Sequence, residues 1–109
     1  MITWDDFEKI DMRVGTILSA ASFPNARQPA YQLTIDFGEL GIKKSSAQIT
    51  KLYALEELAG RQVIAVVNFP PKQIANFSSE CLVLGVYNEN KEVVLLQPGL
   101  AVGNGSKIG

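Results

Sequence analysis

Few side chains in this sequence have the types and spacing that enzymatic chemistry needs. The chain has no histidine and one cysteine, Cys81, which excludes Cys/His metal sites and nucleophiles that depend on an imidazole base. Cys81 begins the apolar run Cys81–Leu84, where a cysteine usually packs as a small hydrophobic side chain. We therefore predict no catalytic residues, no metal and no cofactor, and a thiol enzyme that uses Cys81 is the remaining alternative.

The carboxylates and the glycine-rich stretch also lack the spacing of a catalytic or phosphate-binding site. Asp5–Asp6 and Glu56–Glu57 are pairs of sequence neighbours, so the members of a pair do not share a helix or strand face and are typical of solvated or capping charge. No helix follows Gly103–Lys107, whereas a phosphate-binding loop needs a strand before it and a helix after it. The sequence therefore favours a binding protein over an enzyme.

The distribution of charge indicates where a binding surface could lie. The net formal charge is −1, so the protein does not attract nucleic acid through its overall charge. The first twelve residues are acidic, whereas the middle of the chain has an excess of lysine and arginine. Lys43, Lys44, Lys51 and Lys72 could neutralise phosphates, or they could form an ordinary solvated face, which composition by itself favours.

Apolar periodicity predicts a β-rich protein. Tyr31–Phe37 alternates apolar and polar residues, as a half-buried strand does, and Arg61–Phe69 is apolar on both faces, as a central strand is. Gly15 suits a bulge or a close approach of the backbone. Further strands are predicted at Arg13–Ala20, Ile42–Ile49, Cys81–Tyr87 and Val93–Gln97, with a hairpin turn at 88–92 and a loop at 71–80.

Two short helices are predicted beside these strands. Thr3–Ile10 is expected to form a helix capped by Thr3, with Trp4 and Phe7 packed at the end of the barrel or against a partner subunit. Thr50–Gly60 is expected to form the second helix, between the third and fourth strands.

Together the predicted elements define a fold class. Five main strands, short helices and glycine-marked bends predict an all-β OB-fold, a five-stranded Greek-key barrel, in one domain over residues 1–109 with a helical extension over residues 1–12. Val63–Val67 is apolar on both faces. This apolar surface exceeds what one small core needs, so we expect a homodimer. No apolar run could span a membrane and the N-terminus lacks a secretion signal, so we expect no membrane insertion and a cytoplasmic location.

Several motifs resemble a known protein family. The main ones are Lys44–Lys51 and Val66–Ala75, and the others are Asp11–Ile17, Glu56–Arg61 and Leu95–Pro98. Together they are similar to the tRNA-binding domain family over nearly the whole chain. Some members are appended to aminoacyl-tRNA synthetases. No appended domain is seen in this sequence, so we expect it to be more similar to the stand-alone members described as secretion-related chaperones.

The resemblance implies an OB barrel that dimerises, binds tRNA-like RNA and, in the secretion-related chaperones, binds unfolded or preprotein polypeptide during export. It also implies short turns, not a full helix, over residues 53–61. By position it assigns nucleic-acid binding to two sets of residues, Lys43, Lys44, Ser46, Gln48 and Lys51 in the first and Asn68, Lys72 and Ser79 in the second. Ala75–Asn76 departs from the Arg-Gly of many members, which removes a cation from the expected RNA edge.

Two aromatic residues are candidates for binding an apolar polypeptide. Phe69 and Phe77 bracket Pro70–Pro71 and could be exposed. Core packing is the alternative, which the pattern favours for Phe69 and leaves open for Phe77. Asn68 could hydrogen-bond the following turn instead of a nucleotide, and Asn76 could occupy a left-handed turn position.

Two functions follow for a non-enzymatic protein with these properties. The first is a molecular chaperone for protein export that binds unfolded or preprotein polypeptide, which needs an exposed apolar groove near the basic face. The alternative is a tRNA-binding module, which needs the lysines to converge on one face.

Overall fold

Alternating apolar residues form the antiparallel sheet at the centre of the structure. The computed structural model describes residues 1–109, with its elements in the order α1 (Trp4–Glu8), β1 (Met12–Ser22), β2 (Tyr31–Asp36), β3 (Ile42–Ala47), β4 (Gln62–Val66), β5 (Lys72–Ile74), β6 (Phe77–Ser79), β7 (Leu82–Val83), β8 (Gly85–Tyr87) and β9 (Val93–Leu95). Single 3₁₀ turns lie at Gly38–Leu40 and Leu55–Glu57. The main sheet has the order β3-β2-β1-β4-β7, and β5–β6 and β8–β9 form two hairpins.

The main sheet closes into a barrel because the chain returns along the outer edge of β3. The backbone N–H of Glu80 donates to the carbonyl oxygen of Lys44 over 2.7 Å, and the hydroxyl of Ser45 donates to the carbonyl oxygen of Cys81 over 2.8 Å. β7 then pairs with β4, so the strand predicted over Cys81–Tyr87 is divided into β7 and β8. The strand order and this closure confirm the predicted all-β OB-fold class.

Strand β1 is long enough to pair with two neighbours. Its first half pairs with β4 and its second half with β2. The register shifts between Ile17 and Ser19, and a bulge of this kind bends a strand from one side of a barrel to the other. The C-terminal segment also runs along β1, where the backbone N–H of Val14 donates to the carbonyl oxygen of Ser106 over 2.9 Å.

The barrel core is built mainly from the inward-facing residues of β1, β2 and β4. The predicted alternation of the second strand is confirmed, because Leu33, Ile35 and Phe37 are fully buried and the residues between them are only half-buried. The predicted close approach at Gly15 is also confirmed. A Cβ atom on Gly15 would lie 2.7 Å from both Cγ2 of Ile35 and Cε1 of Phe37, so only glycine fits there without displacing the core.

Helix α1 begins as the sequence predicts. The Oγ1 of Thr3 accepts the backbone N–H of Asp6 over 3.1 Å, and the Asp6 carboxylate accepts the N–H of Thr3 over 3.0 Å, which forms a capping box. The prediction that Trp4 packs against the end of its own barrel is wrong, because Trp4 is 83% exposed. No helix in the structure has both the length and the apolar character to cross a membrane.

The helix predicted over Thr50–Gly60 is wrong, because only Leu55–Glu57 forms a single 3₁₀ turn. The carbonyl oxygen of Tyr53 accepts the hydroxyl of Tyr31 over 2.8 Å, and the Tyr53 hydroxyl accepts the backbone N–H of Leu95 over 2.9 Å. Tertiary contacts therefore use the backbone carbonyl that a helix would bond internally. The short turns implied by the family resemblance are what the structure contains.

The loop predicted at residues 71–80 is also wrong, because it contains the β5–β6 hairpin. Ile74 and Phe77 join a second, small apolar cluster outside the main core, and this distant packing gives the hairpin a buried face. Ala75 takes the left-handed position in its turn, with φ of 51°, and not Asn76 as predicted.

Candidate nucleic-acid interface

An open cleft of about 540 Å³ lies between β3, the β5–β6 hairpin and the loop that precedes β2. Seven of its eleven lining residues are polar or charged, so we call it the polar cleft; they are Asn25, Arg27, Gln28, Ser46, Gln48, Lys72 and Gln73. Two of the seven are cations, and no carboxylate residue is part of the lining. The lining of the polar cleft therefore has a net positive charge.

The outer face of β3 adjoins the polar cleft. Side chains alternate along a strand, and Ser45 is fully buried, so Lys44 and Ser46 point outward. Gln48 continues this outer face just after the strand and lines the cleft. Lys43 shares the inward face of Ser45 and is half-buried. The structure thus brings Lys44, Ser46 and Gln48 together on one face and separates Lys43 from them.

Arg27 is a cleft residue that the sequence analysis missed. The loop that contains Arg27 is held in place because Phe23 and Ala30 are buried against Phe77. The ring centroids of Phe23 and Phe77 are 5.3 Å apart, and the ring planes are tilted by 59°. The side chain of Arg27 is exposed above this cluster. Its position as the one cation between Pro24 and Pro29 is the sequence signal that could have identified it, because prolines restrict a loop to few conformations.

Ser79 supports the polar cleft without lining it. Its Oγ accepts the backbone N–H of Ser46 over 3.0 Å and lies 3.5 Å from the carbonyl oxygen of Cys81. Lys72 is the residue that pairs with Ser79 across the hairpin, and it is exposed. Of the second predicted set, Lys72 therefore lines the cleft and Ser79 holds Ser46 in place.

Asn68 and Lys51 lie outside the lining of the polar cleft. The Oδ1 of Asn68 accepts the backbone N–H of Asp11 over 3.0 Å, and its Nδ2 donates to the carbonyl oxygen of Lys9 over 2.7 Å. Both ends of the amide thus join the end of β4 to the segment between α1 and β1, and not to the following turn. Lys51 is exposed in the turn after β3.

A second cleft, of about 330 Å³, also borders the hairpin, at Lys72 and Ser79, and is more apolar. We call it the apolar cleft, and its lining includes Phe69, Lys72, Glu80 and Leu82. Phe69 is 55% exposed, so core packing of this residue is wrong. Phe77 is buried, with 9% exposure, and its assignment as a surface residue for polypeptide binding is corrected, because its ring packs against Phe23 in the second apolar cluster.

Cys81 borders the apolar cleft but is itself buried. Burial raises the pKa of its thiol to about 11, although the hydrogen bond with Ser45 and the charge of Lys43 act in the opposite direction. A thiol with this pKa is protonated near neutral pH and is a poor nucleophile. The geometry therefore favours packing over catalysis for Cys81.

The arrangement can make two kinds of contact with a nucleic acid. Arginine and lysine side chains neutralise phosphates, which supplies affinity, and amide or hydroxyl groups bond to sugars and base edges. Residues 12–107 match the family described as "Putative tRNA binding domain". The chain belongs to this family. The resemblance identified from the sequence motifs is thereby confirmed.

Some individual members of the tRNA-binding domain family match this chain over their whole length and others over a small part of it. The structure is similar to chaperone CsaA from Bacillus anthracis, with 56% identity, a TM-score of 0.94, and coverage of 100% of this chain and 99% of that chain. For the CsaA chaperone protein from Picrophilus torridus, the identity is 54%, the TM-score is 0.94 and both chains are covered completely. The methionine–tRNA ligase of Porphyromonas gingivalis is 35% identical over 107 residues, and the match spans 98% of this chain but only 15% of that enzyme.

The residues that match the family include both clefts but not α1. The tRNA-binding domain begins at the start of β1 and ends in the C-terminal segment that runs along β1. It therefore contains both clefts, and α1 lies before it. Both solved CsaA structures are described as chaperones.

Proposed function

We propose that the protein binds tRNA at the polar cleft and the adjoining outer face of β3. The observation that carries this proposal is the convergence of Arg27, Lys72, Ser46 and Gln48 on one open cleft. These residues come from three separate segments of the chain. Membership of the tRNA-binding domain family supports the choice of RNA over other polyanions.

The expected strength of this interaction follows from its charges. Arg27, Lys44, Lys51 and Lys72 provide four exposed cations in the polar cleft, on β3 or in the turn that follows β3. Each phosphate contact contributes about −0.7 to −0.9 to the slope of log K against log salt, so one chain should give a slope of about −3 to −4. Binding by one chain should therefore be weak at high ionic strength.

A second function is favoured by the apolar cleft. Phe69 and Leu82 are about half-exposed and lie on its rim, which suits the apolar side chain of an unfolded polypeptide. We propose that unfolded polypeptides, including preproteins in export, bind there, so that the protein is a chaperone without enzymatic activity. The likeness to two solved structures of proteins described as chaperones supports this proposal.

We also propose that residues 1–109 form one domain, with residues 1–12 as its helical extension, that acts as a homodimer in the cytoplasm. Large apolar side chains are exposed on α1 and on the β8–β9 hairpin, including Trp4, Val86 and Tyr87. A two-fold interface would bury such residues on both copies at once. It would also double the number of polar clefts available to one RNA molecule.

Two titrations test these functions. Purified protein is titrated against unfractionated tRNA and against reduced, carboxymethylated lactalbumin, which stays unfolded, from about 50 to 200 mM salt. We expect the tRNA affinity to fall steeply with salt and the polypeptide affinity to persist, because apolar burial is little screened. Size-exclusion chromatography with light scattering reports the dimer.

A matched control comes from the tip of the other hairpin. Lys91 is exposed and lies outside both clefts, so Lys91→Asn removes one positive charge without altering either surface. Its tRNA affinity should equal that of the wild type, whereas Lys72→Ala should weaken tRNA binding. Equal losses in both variants would show that the polar cleft is not the RNA site.

A further inference from the structure

The polar and apolar clefts share one wall, the β5–β6 hairpin. Lys72 lines both clefts. The linings also meet where the backbone N–H of Ser46, in the polar cleft, donates to the Oγ of Ser79, in the apolar cleft, over 3.0 Å. Each strand of the hairpin has three residues, which corresponds to a wall about 10 Å long. A large ligand in one cleft therefore approaches the other closely.

The charges of the two clefts depend on the same lysine. Arg27 and Lys72 are the two cations that line the polar cleft, whereas Lys72 and Glu80 are the single cation and the single anion of the apolar cleft. Glu80 is fixed in position, because its Oε1 accepts the backbone N–H of Lys44 over 2.9 Å. A phosphate that engages Lys72 would leave the apolar cleft with a net negative charge.

From this shared wall and shared lysine we infer that tRNA and unfolded polypeptide bind in competition, so that RNA displaces a bound polypeptide. The inference rests on the proposed function, since it assigns one ligand to each cleft. When the ammonium group of Lys72 contacts an RNA phosphate, the lining of the apolar cleft has no other cation to offset the charge of Glu80. The Debye length at physiological ionic strength, about 8 Å, spans most of the hairpin wall, so a phosphate at one cleft also acts on charges at the other.

Competition has a quantitative and reciprocal form. If the two ligands exclude each other, tRNA held at about ten times its own Kd raises the apparent Kd for polypeptide about tenfold. Linkage requires that polypeptide at about ten times its own Kd raises the apparent Kd for tRNA by the same factor. Simple crowding by a non-binding RNA would give neither effect.

The experiment follows the fluorescence anisotropy of labelled, carboxymethylated lactalbumin as protein is added, with and without tRNA. For the wild type we expect the tenfold shift described above. Arg27 lines only the polar cleft, so Arg27→Ala should retain the polypeptide affinity. The tRNA concentration needed to displace the polypeptide should rise by the same factor as the Kd of this variant for tRNA. Phe69 lines only the apolar cleft, so Phe69→Ala should weaken polypeptide binding and retain tRNA binding. Lys72→Ala should weaken both.

Three outcomes would overturn the inference. If the wild type binds each ligand alone but polypeptide binding is unchanged at saturating tRNA, the two sites are independent and the proposed function survives. If Lys72→Ala weakens the binding of only one ligand, Lys72 does not serve both clefts. If the wild type fails to bind one of the two ligands alone, the proposed function falls together with the inference.

Discussion

The backbone N–H of Ser46 donates a hydrogen bond of 3.0 Å to the Oγ of Ser79, and these residues are 33 positions apart in the sequence. The bond ties the edge strand β3 to the β5–β6 hairpin at the place where the two clefts meet. A side-chain hydroxyl thus takes the role that a backbone carbonyl plays elsewhere in the sheet. The position of the hairpin relative to β3, and with it the width of the polar cleft, depends on this contact.

Replacing the acceptor of this bond should loosen the hairpin. Ser79→Ala leaves the half-buried N–H of Ser46 without its partner, which should lower the free energy of unfolding by about 1 kcal/mol and weaken tRNA binding. Denaturant unfolding and tRNA titration measure the two effects. Ser78→Ala is the matched control, since Ser78 is exposed on the same strand, and equal stability of the two variants would contradict this role for Ser79.

A methyl group at Gly15 should disturb the core of the barrel. A Cβ atom there would lie 2.7 Å from Ile35 and Phe37, so Gly15→Ala should lower the free energy of unfolding by about 1 to 3 kcal/mol. Gly99→Ala is a suitable control, because nothing lies within 4 Å of a Cβ at Gly99. Comparable thermal unfolding of wild type and Gly15→Ala would show that the core adapts to the methyl group.

Lys44 on β3 and Lys51 in the turn after it should contribute to the salt dependence of tRNA binding. Lys44 lies on the outer face of β3 and Lys51 is exposed in the following turn. The double variant Lys44→Ala/Lys51→Ala should bind all tRNAs more weakly and reduce the magnitude of the salt slope by about 1.5 to 2. Lys91→Asn again serves as the control. An unchanged affinity and slope would place both lysines on an ordinary solvated surface.

The buried thiol should make stability depend on alkaline pH. Burial raises the pKa of Cys81 from 9.0 to about 11, so the unfolded chain loses the thiol proton at a lower pH than the folded protein does. The stability that comes from this pKa difference is fully present below about pH 9 and is lost as the pH rises from about 9 to about 11, up to about 3 kcal/mol. Cys81→Ala should lack this component, and parallel unfolding profiles for the two proteins across that range would refute it.

Local patterns were sufficient for much of the fold. The alternation over residues 31–37 predicted a strand with one buried face, and Thr3 predicted the start of α1. The glycine at position 15 predicted a close approach of the backbone. Each of these features depends on residues near one another in sequence, where side-chain direction and capping geometry follow from the backbone conformation.

The predictions that failed depended on distant contacts. Tyr53 lies in a segment with a helical pattern, but its carbonyl and hydroxyl groups bond to Tyr31 and to the last strand. The pattern leaves Phe77 open between surface and core, and Phe77 is buried because Phe23 lies against it. For Phe69 the pattern favours core packing over a polypeptide-binding role, but Phe69 is 55% exposed and lines the apolar cleft.

The sequence by itself determined the family, the β-rich barrel and the scarcity of groups that could do catalysis, because composition, periodicity and motifs are properties of the chain alone. Only the tertiary structure decided which polar side chains meet. Arg27, Ser46 and Lys72 lie on separate segments, and barrel closure together with the small cluster around Phe77 brings them to one cleft. That closure is a sum of long-range contacts, whose partners no local pattern specifies.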